Sequence, residues 1–111
     1  MGKLKVKNFL VKAENPDGRF KRGKSIKVTC SVENVSSKTA KNFRSVIRTP
    51  QKELTQQIRT LKPGEKFDLE GNFTPENIGV VIVACRGDRE KQIEESNEND
   101  NREIATLYVS A

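Results

Sequence analysis

The side chains of this sequence best placed to do chemistry are the carboxylates of its last third. Asp88, Glu90, Glu94, Glu95, Glu98 and Asp100 crowd one short stretch, interleaved with Ser96, Asn97, Asn99 and Asn101. A hard cation such as calcium needs roughly six to eight oxygens converging on one point. Asp88, Glu95, Glu98 and Asp100 are the candidate ligands, although their spacing follows no EF-hand loop. The competing reading makes the stretch a tight corner, with the serine and asparagines capping backbone groups. Its carboxylates then face solvent or pair with Arg86, Arg89 and Lys91. Neighbouring carboxylates need a reason to converge and none is visible, so the corner is preferred and no metal or other cofactor is expected. Arg86-Gly87-Asp88 spells an integrin-recognition tripeptide, but the glycine suits the turn there and the tripeptide is not carried forward as a site.

A second set is basic: Arg19, Phe20, Lys21, Arg22 and Lys24. Phosphate contacts together with stacking on Phe20 would make this a patch for nucleic acid or another polyanion. Against that, Phe20 packs as a lid on the core and the cations stay solvated. The charge is lopsided, with 17 Lys/Arg against 5 Asp/Glu in residues 1–66, and 4 against 10 beyond them. Such asymmetry suits an electrostatic docking face as well as an ordinary mixed surface.

Enzymatic readings find little to stand on. The chain has no histidine, so neither cysteine belongs to a Cys–His nucleophile, and two isolated cysteines make no zinc site. There is no glycine-rich phosphate loop opening a helix and no serine elbow. A carboxylate pair for glycoside hydrolysis would need a cleft, which a small filled domain offers poorly. No catalytic residue is assigned, and the chain is read as no enzyme.

The elements that position these groups are strands. Charged residues make up 32% of the chain and hydrophobic ones 33%, a balance that can accompany disorder. Here the apolar residues alternate in short runs, which argues for a folded, lean, aliphatic core. The 111 residues suit one domain, 1–111. Leu4, Val6, Phe9 and Val11 mark a first strand whose phase slips once, as at a bulge. Asn15-Pro16-Asp17-Gly18 is a turn. Ser25–Glu33 is the clearest strand, with Ile26, Val28, Cys30 and Val32 on one face. Residues 40–48 form a third, and the polar residues 54–61 a fourth at an edge, closed by Lys62-Pro63-Gly64. Phe67, Leu69, Gly71 and Phe73 share a face of the fifth. Val80–Arg86 is almost uniformly apolar, as expected of a central strand buried on both sides or flanked closely. Ala105, Leu107 and Val109 line a seventh, and Ile93 is expected to plug the core beneath the corner. Seven short strands predict an all-β, seven-stranded antiparallel sandwich of immunoglobulin-like or fibronectin-III-like type. In that strand order the loop of Phe20 shares an end with Lys52, and the acidic corner lies at the opposite end.

Cys30 is in phase with the inward residues of the second strand and Cys85 with those of the sixth. Those strands face each other across the core of an immunoglobulin-type sandwich and there carry an inter-sheet disulfide. Two buried free thiols fit the same positions. Asn34-Val35-Ser36 and Asn72-Phe73-Thr74 match the glycosylation sequon.

The order of motifs resembles a known family. Gly23 precedes the second strand, Asn34-Val35-Ser36-Ser37-Lys38 follows it, and Leu61-Lys62-Pro63-Gly64-Glu65 forms the next turn. Gly79 opens the sixth strand, and Asp88, Ile93, Glu95-Ser96-Asn97-Glu98 and Asn101 close the pattern. This is similar to the CARDB domain, the cell-adhesion-related domain found in bacteria, over essentially the whole chain. Two positions depart from the family pattern: Asp100 stands where it has the first of two asparagines, and Val35-Ser36 where it usually has glycine.

The resemblance implies a non-catalytic structural module, a spacer or adhesive element within a longer extracellular or cell-surface protein. Its partners would be other domains of the parent protein, or a protein or polysaccharide surface ligand. A basic polyanion-binding domain acting through the Phe20 loop is the alternative, and a calcium-stiffened module the third, with nucleic acid not the favoured partner. No signal-peptide core or membrane-spanning run occurs in the sequence given.

Overall fold

The computed structural model describes residues 4–88 and 102–111. Seven strands follow in order: β1 (Leu4–Ala13), β2 (Ile26–Asn34), β3 (Ala40–Arg48), β4 (Glu53–Leu61), β5 (Lys66–Phe73), β6 (Gly79–Arg86) and β7 (Arg102–Val109). They form two antiparallel sheets, β1-β2-β5 and β4-β3-β6-β7. The fold is thus the all-β sandwich expected from the alternation. Glu95, Glu98, Asp100 and Ile93 lie outside the described residues.

Alternation of period two dictates which side chains meet between the sheets. On β2, Ile26, Val28, Cys30 and Val32 point inward and are buried, while Lys27, Thr29 and Glu33 are part-exposed on the other face. Phe43 and Ile47 of β3, Leu69 and Phe73 of β5, Val83 and Cys85 of β6, and Leu107 of β7 complete the same core cluster. The phase slip of β1 is real: the register to β2 shifts between Lys7 and Leu10, and Asn8 there has φ 54°. Asparagine tolerates that left-handed region better than most residues. A second irregularity sits at Asn42, φ 53°. Ala40 and Leu61 face the core on one side of it, Phe43 and Ile58 on the other. Gly71 is buried where β5 meets β4, and a Cβ at that position would overlap Leu54 Cδ1.

One strand differs from its sequence expectation. β6 is not buried on both faces: Val80 and Ile82 are 67% and 56% exposed. No third layer among the described residues lies over the outer face of this sheet, and lateral cover is thin as well. β3 contacts β6 only through Val46–Arg86, Ile47–Cys85 and Arg48–Ala84. It then turns away at Thr49, so the first half of β6 pairs with β7 alone.

Strands of eight to ten residues span about 30 Å, so they run along the long axis of a body measuring 47 × 22 × 20 Å. At one end Leu4 pairs with Asn34, so β1 begins there. β7 finishes at the other end, where Val109 pairs with Gly79 and Ser110 bonds the backbone of Phe20 and Arg22. That second end gathers three loops: Gly23 N–H donates to Pro75 O at 2.8 Å, and the Gln51 amide donates to Thr74 O.

Candidate functional site

The two cysteines meet at the centre of the core. Their sulfurs lie 2.10 Å apart, at bonding distance, and the bond crosses from β2 to β6. Both residues are buried.

The basic loop is held largely by its own backbone and by the core. Asp17 accepts from the Asn15 amide at 2.8 Å and from Arg19 N–H at 2.9 Å, while Lys21 Nζ sits 2.9 Å from its other oxygen. The Arg19 N–H, followed by Lys21, keeps the Asp17 carboxyl below the ordinary carboxylate range. A lowered folded value means that this contribution is present above the usual carboxylate pKa and fades as pH falls through the folded one. Phe20 is half-buried and packs against the core cluster, and its carbonyl accepts from Ser110 N–H. Arg19, Arg22 and Lys24 are exposed. The structure therefore brings the five residues into one loop, with the aromatic ring turned to the core and one cation paired to Asp17.

Of the carboxylate set, the described residues include Asp88, which is wholly buried just after β6. Ser45 Oγ donates to the carbonyl of the preceding Gly87 at 2.6 Å, fixing the chain there against β3. With its aspartate buried, the tripeptide 86–88 does not present an acidic side chain to a receptor. Among the described residues no group of three or more His, Cys, Asp or Glu could hold a metal ion.

An open groove of about 380 Å³ lies on the outer side of the three-stranded sheet, beside the bulge at Asn8. Its polar groups serve one another, with Ser31 Oγ donating to Asp68 at 2.6 Å and Lys27 pairing with Glu70.

Two features escaped the sequence reading. Asn34, read as part of a loop, is wholly buried and organises one end of the sandwich. Its amide donates to Lys38 O at 2.8 Å and Leu61 O at 2.7 Å, and its oxygen accepts from Ser36 N–H at 3.0 Å and Ser36 Oγ at 2.7 Å. The amide of the first sequon is thus committed to backbone carbonyls, whereas Asn72 of the second is exposed. The other feature is an arginine cluster, Arg48, Arg86 and Arg102, on the outer face of the four-stranded sheet around a cavity of about 110 Å³. Alternation in Arg44-Ser45-Val46-Ile47-Arg48 was the available signal, but cross-strand register is needed to bring the three together.

Comparison with known proteins follows the same lines. The CARDB family model matches residues 6–105. The crystal structure of the CARDB domain of a Pyrococcus furiosus protein, in complex with di-metal ions, superposes with a TM-score of 0.75 at 22% identity; the match covers 98% of this chain and 94% of that one. A domain of a candidate cell surface protein from Methanosarcina acetivorans gives 0.59 at 16% identity, over 95% of this chain and 90% of that one. A β-glucosidase from Erythrobacter marinus contains the same fold in 15% of its length, covering 97% of this chain with a TM-score of 0.58 at 14% identity. A search of curated proteins found no match.

Proposed function

The chain belongs to the CARDB family, and on that footing we propose that it is a non-catalytic spacer or adhesive module of an extracellular or cell-surface protein. The observation that carries this reading is geometric. The first strand begins at one end of a body 47 Å long, and the last strand finishes at the other. A module of that form sets a fixed distance between whatever precedes and follows it. The cross-sheet cysteine pair and a single aliphatic core make it stiff. Family membership supports the non-catalytic part of the reading, and the candidate cell surface protein among its structural relatives supports the location. Among the described residues no helix is long and apolar enough to cross a membrane.

Two copies joined end to end by a short linker test the reading. Small-angle scattering should show the maximum dimension growing by about one module length, 47 Å, over the single copy. A tandem that folds back to the length of one copy sinks the spacer reading.

Metal stiffening is the competing account, prompted by the di-metal ions of the Pyrococcus relative. Of its candidate ligands Asp88 is described and buried, while Glu95, Glu98 and Asp100 lie outside the described residues. The spacer reading calls for no metal, so it expects the same melting temperature in millimolar calcium and in chelator, and a higher one in calcium would favour metal stiffening. A ligand of the folded state would raise it, because mass action adds about 2.7 kcal/mol of stability at a hundredfold excess over Kd.

A further inference from the structure

The two outer faces of the sandwich differ in kind. On the three-stranded sheet, lysines and carboxylates are matched across strands, with Lys7 2.8 Å from Glu33 and Lys27 paired to Glu70. Paired, strongly hydrated side chains of this sort make a surface that stays in water. The four-stranded sheet carries one such pair, Arg48 with Glu53, but along β6 and β7 it presents mainly arginine, tyrosine and aliphatic side chains. Val80, Ile82, Ile104 and Tyr108 are 54–67% exposed there and form one patch across β6 and β7, with Val80 directly opposite Tyr108. Interface centres favour arginine and aromatic residues over lysine and glutamate.

At one end of the patch the arginines converge. Arg86 and Arg102 stand directly opposite each other on β6 and β7, an arrangement that like charges disfavour. Arg48 lies beside them on β3 and is pinned by Glu53, which accepts from its Nε at 3.0 Å and its Nη2 at 2.7 Å. Between the three is the cavity of about 110 Å³, floored by Val46, Ala84 and Ile104. Arg86 Nε is buried in this region and has no acceptor among the described residues. Among those residues neither Arg86 nor Arg102 has an ion-pair partner. A buried donor without an acceptor costs stability, and so does a pair of adjacent cations. A carboxylate entering the cavity relieves both, because a guanidinium fork matches its two oxygens.

We propose that this face docks an extended segment of a partner protein. The segment seats one glutamate or aspartate side chain between Arg86 and Arg102 and lays its flanking aliphatic side chains on Val80, Ile82, Ile104 and Tyr108. The cavity accepts a single acidic side chain, and its surroundings along the strands are apolar. A nucleic acid or sulfated glycan presents repeated charge and no aliphatic surface to cover Val80 and Ile82. This assignment does not depend on the spacer reading.

The test is an amide chemical-shift titration of the labelled protein with two peptides, acetyl-Val-Ile-Glu-Val-Thr-amide and its glutamine counterpart. The glutamate peptide should shift the amides of Ala84, Arg86, Arg102 and Ile104, and should bind at least about tenfold tighter than the glutamine peptide. Raising the salt should narrow that difference. Arg102→Gln, at an exposed strand position, should bring the two affinities together, while Lys27→Gln on the opposite face should change neither. Equal affinities in the unaltered protein, shifts mapping to another face, or no shift at millimolar peptide overturn the proposal. So do concentration-dependent shifts of the same amides without peptide, which would make a second copy of the chain the occupant. Binding that appears only after Glu94, Glu95 and Glu98 are changed to glutamine overturns it too, by making the chain's own acidic stretch the occupant.

Discussion

Reducing the Cys30–Cys85 bond lowers the unfolding free energy by about 4 kcal/mol, the loop-closure entropy restored to the unfolded chain when a link spanning 55 residues is cut. For a domain of this size that corresponds to a fall in melting temperature of roughly 15–30 °C. Reduction leaves both sulfurs in the core, so the change isolates the constraint from the packing. Replacing both residues by alanine removes the sulfurs as well and should cost more, by the transfer and cavity terms of two buried side chains. Urea unfolding with and without reductant measures the first effect, and the double variant measures the sum. Coincident urea midpoints for the oxidised and reduced protein would mean that the sulfurs are not bonded in solution.

Asn34→Ala should cost about 3 kcal/mol, since one side chain serves two backbone carbonyls and two donors at a fully buried position. The carbonyl of Leu61 loses its amide donor where that bond is buried, while the backbone bonds of position 34 with Gly64 and Glu65 still join the two turns at this end. Ser36→Ala removes one of the four contacts and should cost about 1 kcal/mol. Asn34→Asp is the sharper probe. It keeps the shape but sets an acceptor against two carbonyls, so it should be at least as damaging as alanine at neutral pH. A carboxyl so placed has its pKa raised on folding, which makes the folded state bind more protons; stability should therefore recover as the pH falls. A full-strength Asn34→Ala protein, unchanged in urea midpoint, would remove Asn34 from its place as the organiser of this end.

How much of this was legible in the sequence depends on what each feature rests on. The alternation of Ile26, Val28, Cys30 and Val32 fixes a strand and its inner face without help, because period two leaves only one way to bury all four. The bulge in β1 shows as a phase slip between Val6 and Phe9. Asn34 did not show, since an asparagine followed by Val-Ser-Ser reads as an exposed turn. Only the approach of Leu61 from another hairpin, 27 residues away, reveals its burial. The apolar run of β6 misled for a related reason. Composition reports that a strand is rich in valine and isoleucine, but not whether another layer lies over its outer face. The cation cluster is likewise a product of register: Arg48, Arg86 and Arg102 come from three strands, and a slip of one residue would send one of them to the core side.

The placement of β1's start and β7's finish at opposite ends has a mechanical meaning. Pulled from those two points, the chain takes the load in shear. Tension passes from β1 to β2 through eight paired positions, from β2 to β6 through the cysteine link, and from β6 to β7 through eight more. The ladder bonds lie across the strands, so the pull strains each row together and does not unzip it one bond at a time. Beyond the breaking point, the residues between Cys30 and Cys85 stay closed in their loop, and only the segments outside it can lengthen. Oxidised, the domain would behave as a short tether with a hard stop; reduced, the same tether would run out to the full contour of its chain.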